Sequence, residues 1–235
     1  MLDSNRIKHK KIFNQGSNER FEDAKVLGGN PNGIINFNKT PHKFFYTLYK
    51  NMLGRTWFPE QTGITGDKVY YSTLTEIEKR AYDLVLAQLI TNDSIQTNQL
   101  MDGINNYITS PVINACIAKQ ASEEVVHSES YALMAEDICQ DTDRIYNMHH
   151  HDAELRTKNF AVENMYNNLY NAYHDNDDGT YTYIPPTKED ILLVMVANQI
   201  LEELVFPGGF VTLLSLENKM VYSAAVIKEI MKDEY

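Results

Sequence analysis

Apolar residues recur at helical spacing from residue 41 to residue 235, whereas residues 1–40 show no such period. The first forty are polar (GSNERFEDAK) or dense in turn-forming Gly, Asn and Pro (GGNPNGIINFNKTP), which predicts an irregular arm. From Pro41 the aromatic-rich HKFFYTLYKNML predicts a helix that Gly54 ends. A loop with the only tryptophan, Trp57, follows in TWFPEQTGITGDKVYYS. Thr75 and Glu78 form a capping-box pattern opening a long helix, whose stripe Tyr82, Leu86, Leu89, Ile90 runs on to Asp93. Ser110-Pro111 breaks the pattern, and a helix over 111–139 follows. Residues 140–151 read as a polar connection and 152–173 as another helix, with HDNDDGTYTYIPP a solvent-facing excursion able to form a short hairpin. The most apolar helix runs from Thr187 to about 206, where FPGG is expected to disturb it. A last helix fills 219–235. Six helices with almost no strand predict an all-α bundle, with an arm over 1–40 and a helical domain over 41–235.

Composition narrows the function classes. The formal charge of −11 and a pI near 5.1 argue against a nucleic-acid-binding surface and favour a small polar substrate or a protein partner. Cys116 and Cys139 lack CxxC spacing and fit buried, reduced thiols. The start, MLDSNRIKHKKIF, has no apolar core of a signal peptide, and no run approaches the roughly 18 apolar residues of a membrane span. A soluble, cytoplasmic protein without a membrane partner is the expectation.

Candidate chemistry comes from where acids fall on the helices. Asp93 lies 17 residues before Ser110, and Glu124 lies 13 residues after Pro111. At about 1.5 Å per residue, an antiparallel pair brings the two carboxylates to similar heights. Glu202, 15 residues before Glu217, is levelled in the same way with Glu234, 17 residues after it. QASEEVVHSESY adds His127 three residues from Glu124 and Tyr131 one turn later, all on one face. These acids and one imidazole make up most of a dinuclear carboxylate site, which takes an acid from each of two helices and Glu-x-x-His from each of the other two. A lone acid on a helix is usually solvated, but Asp93 ends an apolar stripe and Glu202 lies in an almost wholly apolar helix, where an unpaired acid is costly. Glu123 and Glu203 are assigned to solvent or to salt bridges, and His149, His150 and His151 to a solvated linker.

With these residues in place, the chain resembles the radical-generating small subunit of class I ribonucleotide reductase, over nearly its whole length. GGNPNGIINFN, WFPEQ, NDSIQTNQL, QASEEVVHSESY, ILEELVFPGGF and IKEIMKDEY stand in the family's order, and the 31-residue interval from Asp93 to Glu124 is the family's own. The resemblance implies a ferritin-like bundle whose four core helices hold a dinuclear iron or manganese centre. It further implies Asp93, Glu124, His127, Glu202 and Glu234 as ligands and Tyr131 as the residue that carries the radical. Phe206, Phe210 and Ile230 would line the radical pocket. Trp57, with Asp233 as its hydrogen-bonding partner, would relay the radical to a large subunit that reduces ribonucleoside diphosphates. The small subunit is expected to form a homodimer.

The family's last motif reads D-E-x-x-H, whereas here Asp233-Glu234-Tyr235 is the end of the sequence and the histidine would be residue 237. The expectation is therefore a chain lacking the family's last helices, truncated or split, and completed by a C-terminal polypeptide. Two other readings remain: a ferritin-like dimetal oxidase that passes no radical outward, and a non-catalytic assembly scaffold. Ligand types do not separate iron from manganese, and the residues do not reveal whether an activating flavoprotein is needed.

Overall fold

The computed structural model describes residues 5–139, 141–170 and 173–234. Its helices are α1 (Lys43–Gly54), α2 (Lys68–Tyr71), α3 (Glu76–Asn98), α4 (Pro111–Leu133), α5 (Thr142–Tyr146), α6 (Met148–His151), α7 (Ala153–Tyr170), α8 (Lys188–Ile200), α9 (Phe206–Leu214) and α10 (Val221–Glu234). One antiparallel hairpin, β1 (Tyr173–Asp175) with β2 (Tyr181–Tyr183), completes the described elements. The reading of 140–151 as plain connection needs correction, because α5 and α6 occupy most of it. Asp141 accepts from the Arg144 amide at 3.1 Å and so caps α5, a local signal that outweighs the segment's polarity. Gln140 and Tyr235 lie outside the described residues.

The chain forms two compact units. One comprises Met1–Gly54, Asn98–Ala121 and Asn164–Ala197. Among its described residues the arm has a short 3-10 turn, Phe21–Asp23, and is held by isolated bridges, Arg6 to Thr187 and Leu27 to Ile108. Ile7, Tyr107, Ile108, Val112, Tyr166 and Ile191 are buried there.

The other unit comprises Arg55–Thr97, Ser122–Glu163 and Asn198–Tyr235, and it contains every candidate site residue. The capping box that opens α3 is present: the Thr75 amide donates to Glu78 at 2.8 Å, and the Glu78 amide donates back to the Thr75 hydroxyl at 3.3 Å. The stripe Tyr82, Leu86, Leu89, Ile90 is buried, and so is Asp93 at its end. Helix α9 can lie close against α3 because Gly209 has no side chain: a Cβ there would sit 3.2 Å from Leu89.

FPGG does not interrupt the helix at its own position. Pro207 sits in the first turn of α9, and the irregularity falls just upstream, where Leu201–Val205 widens into a π-helical turn. Proline has no amide to return to the preceding turn, and a wide turn is one way to absorb that loss. Two further π turns follow α3 (Gln99–Gly103) and α4 (Met134–Cys139).

Helix α10 is anchored at its start. The Ser223 amide donates to the buried Asp67 carboxylate at 2.6 Å, a favourable place for an anion. The Ser223 hydroxyl also meets the Tyr82 hydroxyl at 2.9 Å, and the Tyr222 ring lies where a Cβ on Gly66 would collide with it. These contacts fix the helix that presents Asp233 and Glu234 at its far end.

Among the described residues, the helical run Lys188–Leu214 is long and apolar enough to cross a membrane by length and composition. Glu189, Asp190, Glu202 and Glu203 lie within it.

Candidate metal centre

Four helices bring the predicted ligands together within the second unit. Asp93 on α3 and Glu124 and His127 on α4 are all buried, and each offers a ligand atom within 4.8 Å of the other two. His127 Nδ1 lies 3.5 Å from Glu124 Oε2 and 3.4 Å from Glu234 Oε1 on α10. Glu202 joins from the π turn after α8, half-buried, and accepts from the Gln96 amide at 2.6 Å through Oε1.

Electrostatics mark this group as strained without a cation. Burial, reinforced by the negative charge of Glu124, holds the Asp93 carboxyl well above the usual carboxylate range. Burial and Glu124 likewise push Glu202 up to about 8, and burial with Glu124 and Glu202 raises Glu234. For His127, burial opposes protonation, but the hydrogen bond to Asp233 and the negative charges of Glu124 and Glu234 outweigh it and raise the imidazole. Charges of one sign gathered out of water are costly unless paired or bound to a metal.

The donor atoms fit a metal. Asp93 Oδ2, Glu124 Oε2, His127 Nδ1 and Glu202 Oε2 are shielded from solvent and lack a hydrogen-bond partner. Buried polar atoms are almost always paired, so four unpaired ligand atoms in one cluster are an arrangement that a cation would satisfy. Carboxylates with one imidazole suit iron or manganese.

Tyr131 is fully buried, and its hydroxyl also lacks a hydrogen-bond partner. Burial raises its pKa far above the ordinary phenol value, and Asp93 is the largest of the charges that add to this. Phe206, Phe210 and Ile230 are buried in the same unit, with the two phenylalanine rings stacked at 6.0 Å. On the other side of His127, its Nε2 lies 3.2 Å from Asp233 Oδ2, and the Trp57 indole donates to that same oxygen at 2.7 Å. The Trp57 and His127 rings are near-parallel at 6.5 Å. Trp57 and Asp233 border a cleft of about 610 Å³ that Arg55, Glu229, Met231 and Lys232 also line.

Of the neighbouring acids expected in solvent or in salt bridges, Glu123 is only 6% exposed, whereas Glu203 is exposed and accepts from Gln199 at 2.9 Å. The His149 and His150 rings on α6 lie 3.9 Å apart, tilted by 45°, and are not among the metal-ligand group. Gln96 and Asn198 were not singled out from the sequence. The available signal was Gln96 three residues after Asp93, on the buried face of α3.

Comparison with known proteins agrees with this geometry. Residues 34–235 match the family model described as ribonucleotide reductase, small chain. The chain is 33% identical over 239 residues to the ribonucleoside-diphosphate reductase subunit beta of Treponema pallidum, covering 100% of this chain and 64% of that protein. It is 31% identical to the same-named subunit of Aquifex aeolicus, with 99% of this chain and 32% of that protein covered. The chain thus spans less than two thirds of the length of these relatives. Among solved structures, the ribonucleotide reductase R2 subunit from Clostridium botulinum superposes with a TM-score of 0.86 at 25% identity, covering 97% of this chain and 68% of that one. The fold is therefore all-α and ferritin-like, and the chain belongs to the ribonucleotide reductase small-chain family.

Proposed function

We propose that this chain acts in the small subunit of ribonucleoside-diphosphate reductase, where it holds a dinuclear iron or manganese centre and carries a radical at Tyr131. The observation that carries the reading is the set of unpaired, solvent-shielded ligand atoms of Asp93, Glu124, His127 and Glu202 beside the unpaired Tyr131 hydroxyl. Asp93, Glu124 and His127 would hold one metal, and Glu202 and Glu234 would serve the other, with Glu124 within reach of both. When bound, such a centre supplies the oxidising power, drawn from dioxygen, that removes an electron from Tyr131.

The remaining work falls to this chain's own groups. Tyr131 loses one electron and its phenolic proton, and the neighbouring carboxylates are the acceptors at hand for the proton. Phe206, Phe210 and Ile230 keep water and reductants from the phenoxyl radical. Trp57, joined to His127 through Asp233, gives the electron path toward the surface. The large subunit, which would carry out ribonucleotide reduction, is the partner at that end. A homodimer and a cytoplasmic location belong to the same proposal.

Electron paramagnetic resonance after loading with Fe²⁺ and exposure to oxygen tests it. A radical signal that disappears in Tyr131→Phe is expected. A signal that survives this substitution would place the radical elsewhere.

A further inference from the structure

We propose that Gln96 is a positioning residue of the metal centre: its side-chain amide fixes the Glu202 carboxylate by one oxygen and leaves the other for the metal. The inference rests on reading Glu202 as a ligand.

Gln96 is fully buried on α3, one turn beyond Asp93 and therefore on the same helix face. Its Nε2 carries two hydrogens. One is donated to Glu202 Oε1 at 2.6 Å and the other to Asn198 Oδ1. Asn198 lies on α8 one turn before Glu202, so a single amide grips two successive turns of the helix that delivers the ligand. The second Glu202 oxygen, Oε2, is shielded from solvent and has no hydrogen-bond partner.

This grip has a physical purpose in the local backbone. Glu202 lies inside the π-helical turn Leu201–Val205, where the hydrogen-bond ladder is irregular. A glutamate side chain has three rotatable bonds, so backbone placement alone does not aim its carboxylate. Had the role been only to fill space, an apolar side chain would do so without burying an amide. A residue that orients a ligating carboxylate typically changes metal affinity by about 10–100-fold when removed.

Gln96→Met keeps the side-chain length and removes both donors. Mn²⁺ binding to the purified chain is read from the free-ion paramagnetic signal, alongside melting of the metal-free protein. Gln96→Met is expected to weaken Mn²⁺ binding by about 10–100-fold while the metal-free protein still melts cooperatively. In a Glu202→Ala background the same substitution should have no further effect, because its influence passes through that carboxylate. Asn198→Ala, at a half-buried position, should weaken binding less, and it provides the test should Gln96→Met not fold. Mn²⁺ affinity within about twofold of the parent in the folded Gln96→Met, or in Asn198→Ala if that is the variant used, overturns the proposal, as does an equal loss with and without Glu202. A parent chain that binds no Mn²⁺ overturns the underlying reading of the metal centre itself.

Discussion

Helix α3 buries two aspartates about three turns apart, Asp83 and Asp93, and they live in opposite surroundings. Asp83 is fully engaged: Arg144 lies 2.8 Å from Oδ2, and the Tyr71 hydroxyl donates to Oδ1 at 2.7 Å. The Cys139 thiol adds a weaker contact at 3.7 Å, and burial with the Asp83 charge pushes that thiol up to about 12. Asp93 has no cation of its own beyond the shared His127, its Oδ2 is unpaired, and the acids Glu124 and Glu234 act on it. The first arrangement is closed and structural. The second is complete only with something positively charged inside it. Burial alone thus does not identify a metal ligand; unpaired acceptors that converge do.

Substitutions at the two places should separate stability from metal binding. Glu124→Ala removes the acid most widely shared by the cluster, and Mn²⁺ affinity should fall roughly a hundredfold or more, measured by competition with a fluorescent chelator. Asp83→Ala should leave that affinity intact but cost about 2–3 kcal/mol in urea unfolding, because it strips hydrogen bonds made to a charged, buried group. Asp93→Asn should do the reverse, abolishing tight metal binding with no loss of metal-free stability. If Asp83→Ala weakened metal binding as much as Asp93→Asn, the contrast between the two sites would collapse. A smaller effect, about 1 kcal/mol of stability, is expected from Thr75→Ala, which removes the cap of the helix that carries both aspartates. Its metal affinity should match the parent's.

The subtlest effect is on pH. The carboxyl of Glu202 is held at about 8 in the folded protein, above its ordinary value of 4.5. Between those values the folded chain binds more protons than the unfolded one, so this group's contribution is fully present below about pH 4.5 and is lost as pH rises through 8. The raised Asp93, Glu234 and His127 act in the same direction. Thermal melting of the metal-free protein should therefore fall between pH 5.5 and 8.5, and Glu202→Gln should flatten that dependence. A melting temperature that rises over this range would contradict the raised carboxyl of Glu202.

Much of this was legible in the sequence for definable reasons. Period and capping located the long helices, since the Thr75–Glu78 box and the stripe leading to Asp93 are local signals. Counting residues from the turns brought Asp93 level with Glu124, and Glu202 level with Glu234, because helical rise is constant. What stayed hidden depends on contacts distant in sequence. The Asp83–Arg144 pair spans α3 and α5, and the Gln96–Glu202 bond joins α3 to the turn after α8. No spacing rule within one helix reports either. The π turns were also invisible, and FPGG was expected to disturb the helix at its own position when the irregularity lies just before it.

Anomalous diffraction at the manganese edge, from crystals of this chain grown with Mn²⁺, tests the central claim most directly. The expected result is a strong peak within coordination distance of Asp93, Glu124 and His127, and its loss in crystals of Glu124→Ala. A peak confined to His149–His151 on the surface, with none among the buried acids, would contradict it.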